Sequence, residues 1–331
     1  MAVLVTGGAG YIGSHMVWEL VDAGEEVVVL DRLSTGFEWA VAPEATLHVG
    51  DVGDSALVAR IIAGHGIDAI IHFAGSIVVP ESVADPLGYY ENNTVKTRSL
   101  LEQAVKGGVS HFIFSSTAAV YGSAGLEPIV ESASLAPESP YGRSKLMTEW
   151  MLADTAAAHP LRYTALRYFN VAGADPRGRT GQSTSGATHL IKVAAETATG
   201  KRASMQVFGT DYPTPDGTCV RDYIHVSDLA AAHRLALQRL RDGGGNLIAN
   251  CGYSHGYSVL EVLDSVRRVH GRDFAVGTGP RRPGDAASVV ANSALARSEL
   301  GWVPRHDDLD GIVAAALRWE EILARKNSSR D

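Results

Sequence analysis

Apolar residues enter this chain as short runs, with stretches of helical spacing between them. Residues 3–6, 26–30, 46–49, 69–73, 111–115 and 163–168 each read as a strand. Residues 14–23, 87–106 and 140–158 read as helices, with Gly24 placed to end the first. Apolar strands alternating with helices predict a Rossmann-type, doubly wound parallel sheet covered on both faces. After Tyr168 the alternation loosens. A loop over 175–186 precedes a helix over 189–199, and turn formers crowd 207–217. A helix capped by Ser227 runs to Arg239, and Ser258-Val259-Leu260-Glu261 is a capping box for a helix ending at Gly271. Residues 281–285 read as a loop, 309–324 as an amphipathic helix and 326–331 as a frayed tail. The second half therefore predicts a smaller, mixed α/β domain.

The first strand runs straight into Gly7-Gly8-Ala9-Gly10-Tyr11-Ile12-Gly13. A strand, a glycine-rich turn and a helix make a pyrophosphate-binding device. Glycine lets backbone approach the ligand, and the helix start offers free N–H groups and a positive dipole end. Gly8 to Gly13 fits G-x-G-x-x-G, and Gly7, Gly10 and Gly13 also stand at three-residue spacing. Glycines serve plain turns too, so the motif depends on its setting. The second strand supplies that setting by ending on Asp31, near where a carboxylate takes the adenosine ribose hydroxyls. An aspartate after a strand is also an ordinary turn residue. Arg32 would suit a 2′-phosphate, but Asp31 would repel one, so NAD is favoured over NADP as cofactor.

Two further stretches bring reactive groups to the sheet's ligand-binding edge. The fifth strand delivers Ser116-Thr117-Ala118-Ala119, and Ser139-Pro140-Tyr141-Gly142-Arg143-Ser144-Lys145 opens a helix. Tyr141 and Lys145 are one turn apart on one face. An ammonium there stabilises the phenolate and would lower the Tyr141 pKa, as would a bound nicotinamide cation. Y-x-x-x-K also arises by chance as a solvated lysine beside a half-buried tyrosine. The glycine turn upstream and Thr117 at a strand end favour catalysis.

Composition narrows the class. The chain has 331 residues, of which 45% are hydrophobic and 20% charged, enough for about two domains with a sizeable core. Net charge is −8 with no basic run, so nucleic acid is not an expected partner. Two cysteines make no disulfide framework and fit thiols in a reducing cytoplasm. No signal peptide, membrane span or metal-ligand spacing is read, so neither membrane nor metal is expected.

With these residues in place, the chain resembles the extended short-chain dehydrogenase/reductase superfamily, and within it the UDP-glucose 4-epimerase family. The resemblance covers nearly the whole chain. It rests on the glycine turn, His72-Phe73-Ala74-Gly75, the Tyr141 motif and Leu166-Arg167-Tyr168-Phe169-Asn170. Asp211-Tyr212-Pro213-Thr214-Pro215-Asp216-Gly217-Thr218 and Arg221-Asp222-Tyr223-Ile224-His225-Val226 are its most specific stretches. It implies a tightly held NAD and reversible C4 epimerisation of UDP-glucose and UDP-galactose through a 4-keto sugar. Tyr141 would be the base, Thr117 would bond the sugar 4-oxygen, and Lys145 would hold the nicotinamide ribose. The cofactor would lie against Gly7, Gly10, Tyr11, Ile12, Gly13, Asp31, Asp51, Val52, Phe73, Ala74, Gly75, Asn92, Lys145, Tyr168 and Phe169. Besides Thr117 and Tyr141, the UDP-sugar would contact Asn170, Leu190, Phe208, Arg221, Tyr223, Arg282 and Asp285. An arginine taken alone is more often a surface charge. The resemblance also implies a cytoplasmic homodimer formed through 87–106 and 140–158. It implies an NAD domain over 1–174 rejoined by 222–241, and a discontinuous substrate domain over 175–331.

This chain departs from the family pattern in places. Thr117 stands where many members have serine, and the hydroxyl is kept. Ile77 replaces a lysine near the nicotinamide, and His189 stands where an asparagine often meets the sugar. Val171-Ala172 replaces Pro-Val. Val289 stands where some members have tyrosine, and a smaller wall would admit an N-acetyl sugar. UDP-xylose and UDP-arabinose are further candidate substrates. A 4,6-dehydratase would show an Asp-Glu pair where Ala118-Ala119 stand, and a non-catalytic NAD-sensing regulator would usually lack Tyr141 or Lys145.

Overall fold

A computed structural model describes residues 1–123, 125–282 and 284–328. Seven strands form one parallel sheet: β1 (Ala2–Thr6), β2 (Glu26–Asp31), β3 (Thr46–Val49), β4 (Ile67–His72), β5 (His111–Thr117), β6 (Arg162–Tyr168) and a late strand, Leu247–Cys251. Their order across the sheet, starting from the late strand, is then β6, β5, β4, β1, β2, β3. Strand order reverses between β1 and β4, so the crevice above their C-terminal ends is the natural ligand site. Every residue of β1 is buried, as a central parallel strand requires. Alternate side chains feed two cores: Val3, Val5, Val29 and Ile71 on one face, and Leu4, Val28, Leu30 and Ile70 on the other.

The second half supplies short strands: β7 (Asn170–Ala172), β8 (Met205–Phe208), β9 (Val220–Arg221), β10 (Tyr223–His225), then the late strand as β11, β12 (Tyr257–Ser258), β13 (Val276–Gly279) and β14 (Ser288–Val289). β7 pairs with β10, β8 with β13, and β9 lies between β12 and β14. The helices Leu190–Ala198, Val259–His270 and Leu309–Ser328 pack on one another. The Val226–Arg241 helix crosses back onto the first helix, Tyr11–Asp22. Arg234 of that helix bonds Glu19 at 2.8 Å.

Several elements differ from expectation. The helix expected over 87–106 runs from Pro86 to Lys106, but with a π turn at Glu91–Val95 between Pro86–Tyr90 and Lys96–Lys106, and a separate short helix, Val79–Ala84, precedes it. Pro86 has no N–H to continue a helix, and it starts a new one capped by Asp85. The cap of the Val226–Arg241 helix is His225, not Ser227; the His225 Nδ1 accepts from the Ser227 N–H at 3.1 Å. The sequence reading has no strand at β11. The Ser258 capping box is present, and Gly271 ends its helix in the left-handed region. The last helix continues to Ser328, and the rest of the expected frayed tail, 329–331, lies outside the described residues.

Candidate active site

The glycine turn is built by close backbone approach. Gly7 has φ +72° and lies against the β4 exit, where a Cβ would sit 2.6 Å from the Ala74 nitrogen. A Cβ on Gly13 would sit 2.1 Å from the Gly7 carbonyl oxygen. The helix begins at Tyr11, so the N–H groups of Tyr11, Ile12 and Gly13 have no carbonyl one turn earlier within the helix. Asp31 is buried at the β2 end; it accepts from the Ala9 N–H at 2.9 Å and the Leu33 N–H at 2.8 Å. Its carboxylate thus braces the turn it was expected to serve. A bare backbone cradle at a helix start, with an acid at the second strand end, fits an NAD pyrophosphate and ribose.

Around this cradle the structure gathers the other expected cofactor residues. Asp51 bonds Lys96 at 2.6 Å and the Gly53 N–H at 2.8 Å. Burial works against its charge, but the Lys96 ammonium and that N–H hold its carboxyl below the usual range. Val52 is buried beside it. Arg32 turns to Asn92 at 3.3 Å and to Asp51 at 3.8 Å, away from any free cationic role. Phe73, Ala74 and Gly75 follow β4, and a Cβ on Gly75 would lie 3.8 Å from the Lys145 Nζ. Tyr168 bonds the Ser115 hydroxyl at 2.6 Å, and Phe169 is buried next to it.

Thr117 ends β5, and its oxygen accepts from the Ala119 N–H at 3.2 Å, which starts a short turn over Ala118–Val120. The Pro140–Ala158 helix comes down on that turn. Its Gly142 makes this possible, because a Cβ there would be 2.6 Å from the Ala119 carbonyl oxygen. The approach brings Tyr141 to Thr117, with Tyr141 and Lys145 both buried. Lys145 donates to the Ser115 carbonyl at 3.0 Å, and burial brings its pKa down to about 8. Burial raises the Tyr141 pKa, and the Thr117 hydroxyl draws it part of the way back. In the protein alone, desolvation of the phenolate outweighs the neighbouring hydroxyl.

The expected substrate residues form a second wall. Arg282 lies over the Phe208 ring with its guanidinium carbon 3.9 Å from the centroid. Arg221 points a guanidinium nitrogen to within 3.6 Å of Asp285. Asn170 and Tyr223 are register partners in the β7–β10 pair. A cavity lined by Tyr11, Asn170, His189, Leu190 and Tyr223, and by Trp319 and Glu320 of the last helix, lies beside this wall. Val289 pairs with Arg221 and packs against the apolar cluster that includes Ala118, Tyr121 and Phe169. Ile77 is half exposed on the loop after Gly75.

Two residues were missed as site residues. Asn93 is buried in the π turn and accepts from the Ser76 N–H at 2.7 Å while donating to Ser144 at 3.1 Å. It ties the β4 exit loop to the helix of Tyr141. Lys96 holds Asp51. Two adjacent asparagines within an expected helix were the available signal, because asparagine favours caps and turns over helix interiors.

The fold and site define a nucleotide-cofactor enzyme with a tyrosine–lysine pair at the sheet's C-terminal edge. A family model described as the NAD dependent epimerase/dehydratase family matches residues 3–252. The chain belongs to this family, NAD is its cofactor, and its relatives place it with the UDP-glucose 4-epimerases. It is 56% identical to UDP-glucose 4-epimerase of Azospirillum brasilense over 321 residues, spanning 97% of this chain and 92% of the relative. It is similar to the crystal structure of UDP-glucose 4-epimerase from Brucella ovis in complex with NAD, at TM-score 0.93 and 45% identity, covering 96% of this chain and 97% of that one. The Bifidobacterium longum enzyme in complex with NAD+ and UDP gives TM-score 0.92 and 40% identity, covering 97% and 98%. No helix among the described residues is long and apolar enough to cross a membrane.

Proposed function

We propose that this chain interconverts UDP-glucose and UDP-galactose by reversible oxidation at the sugar C4. The observation that carries the reading is the strand end where Thr117 meets the buried Tyr141 and Lys145, followed by two alanines and no acid. NAD, when bound, supplies the acceptor and returning donor for the C4 hydride. Tyr141 takes the proton from the sugar 4-hydroxyl and later returns it. Thr117 bonds the 4-oxygen through that exchange. Lys145 holds the nicotinamide ribose near Gly75 and supplies positive charge beside the base. Without an acid at Ala118 or Ala119, nothing there moves a C5 proton, so elimination does not follow oxidation.

Epimerisation needs the sugar to turn while the nucleotide stays. Arg221 and Arg282 hold the diphosphate, since guanidinium matches phosphate geometry. Phe208, Tyr223, Asn170, Leu190 and Asp285 complete the pocket. Residues 1–174 with the 222–241 segment and, beyond the expected bounds, the sheet strand Leu247–Cys251 carry NAD, and the remainder carries the UDP-sugar. Buried, unpaired Cys219 and Cys251 support a reducing, cytoplasmic setting.

The same helices offer a surface for a second copy. Leu87 is 78% exposed, Val83 65% and Trp150 56%, all on the segments around 79–106 and 140–158. Large apolar side chains so exposed favour burial in a homodimer, and Leu87→Glu with Trp150→Glu should yield monomer in sedimentation. The activity is tested with purified protein, no added NAD, and UDP-glucose, UDP-xylose and UDP-N-acetylglucosamine offered in turn. Interconversion of UDP-glucose and UDP-galactose is the expected result; its absence refutes the reading.

A further inference from the structure

Behind the reactive edge lies a buried ion pair that the chemistry above does not use. Arg167 and Glu149 are 3% and 2% exposed, and they meet through two bonds, at 2.9 and 2.6 Å. Ser116 donates to the same carboxylate at 2.5 Å. Arg167 also donates to the Tyr121 hydroxyl at 2.9 Å, and that hydroxyl donates to Asn250 at 2.7 Å. Asn250 reaches the Ile129 carbonyl at 2.8 Å, and the Ile129 N–H donates to Val290 at 2.8 Å.

Three members sit next to a site residue or one helical turn from it. Ser116 precedes Thr117, Arg167 precedes Tyr168, and Glu149 lies one turn beyond Lys145 on the helix that begins beside Tyr141. Tyr121 ends the short turn that Thr117 caps, and Val290 follows Val289. Two strand ends, the catalytic helix and the sugar-side segment are thus joined through one carboxylate and one guanidinium.

Stability alone does not explain the pair. Desolvating two charges costs about as much as their attraction returns, and apolar residues of like volume often pack as well or better. Apolar contacts, however, set no direction, whereas a bidentate pair with two hydroxyl partners fixes angles.

We propose that the Glu149–Arg167 pair is a positioning element of the active site, holding Thr117 and the Tyr141–Lys145 helix in register. The proposal rests on the epimerase reading. The test is the double substitution Glu149→Leu with Arg167→Met, which replaces the pair by apolar side chains and leaves no single buried charge. Melting temperature, kcat and KM for UDP-glucose are measured beside wild type. The variant should melt within a few degrees of wild type and keep KM within about threefold, while kcat falls about 10- to 100-fold, the cost of a misplacement near 1 Å. A folded variant with kcat within twofold of wild type overturns the proposal. If the double variant does not fold, Ser116→Ala decides, since it removes one bond to Glu149. A kcat lowered severalfold at constant KM supports positioning, and an unchanged kcat overturns it. Wild-type protein without epimerase activity would overturn the functional reading itself, an outcome distinct from either variant result.

Discussion

Replacing Gly13 by alanine probes the cradle at its tightest point. The new Cβ would lie 2.1 Å from the Gly7 carbonyl oxygen, 2.8 Å from its carbon and 2.9 Å from the Gly8 Cα. Ordinary contacts of this kind are about 3.5 Å, so the turn or the helix start must retreat by roughly 1 Å. Gly13 lies in the first turn of the Tyr11–Asp22 helix, where alanine gains up to about 1 kcal/mol over glycine. Overpacking costs about 1–3 kcal/mol, so the net loss of stability is small. The phosphate site has no such compensation. A shift of about 1 Å carries an N–H group beyond good hydrogen-bond distance of the pyrophosphate, and each bond to a charged group is worth about 1.5–3 kcal/mol. Losing one such bond weakens NAD binding by about 10- to 100-fold. The assay is NAD per chain after gel filtration, read by absorbance of the released cofactor. The control is Gly24→Ala, where φ is +81° and nothing lies within 4 Å of a Cβ. That chain should lose stability and keep its NAD. Full NAD in Gly13→Ala refutes the reasoning.

Tyr141→Phe should lower kcat by about 10²–10⁴-fold while NAD content holds; a variant near the wild-type rate removes Tyr141 as the base. Arg282→Ala should weaken UDP binding at least about tenfold by calorimetry, and unchanged affinity counts against a diphosphate role. Lys145 carries a pH test of the NAD-free chain. Burial brings its pKa down to about 8 from the ordinary 10.5 of an exposed lysine. Between those values the unfolded chain binds a proton that the folded chain has released, so this group's contribution to stability rises with pH. NAD-free Lys145→Met should therefore exceed wild type in denaturant stability below pH 8, with the gap closing toward pH 10.5; a constant gap would show that burial does not shift Lys145.

The first half was legible because its parts are local. A buried central strand reads as a continuous apolar run, a glycine cradle as its glycines, and a helix start as Pro140 after Ser139. What stayed hidden depends on partners distant in sequence. β11 is a short apolar run broken by Asn250, and it is a strand because β6 offers it Thr164 to Tyr168. The π turn over 91–95 carries the asparagine pair, whose weight against regular helical spacing only packing decides. That burial raises the Tyr141 pKa in the protein alone cannot be read from i, i+4 spacing. Asp31 was found, but its bracing of Ala9 and Leu33 is set by how the turn folds back over β2.

β11 arrives from a segment far beyond β6, yet it completes the same sheet. Cutting the chain after residue 174 would leave unpaired the backbone groups that β6 turns toward β11 between Thr164 and Tyr168, while its β5 side stays paired. An open, largely apolar strand edge invites pairing with other chains. During synthesis, that edge waits until Leu247–Cys251 emerges. The nucleotide-binding half is therefore not a separable module, and the span between β6 and β11 is an insertion that the sheet must tolerate before it can close.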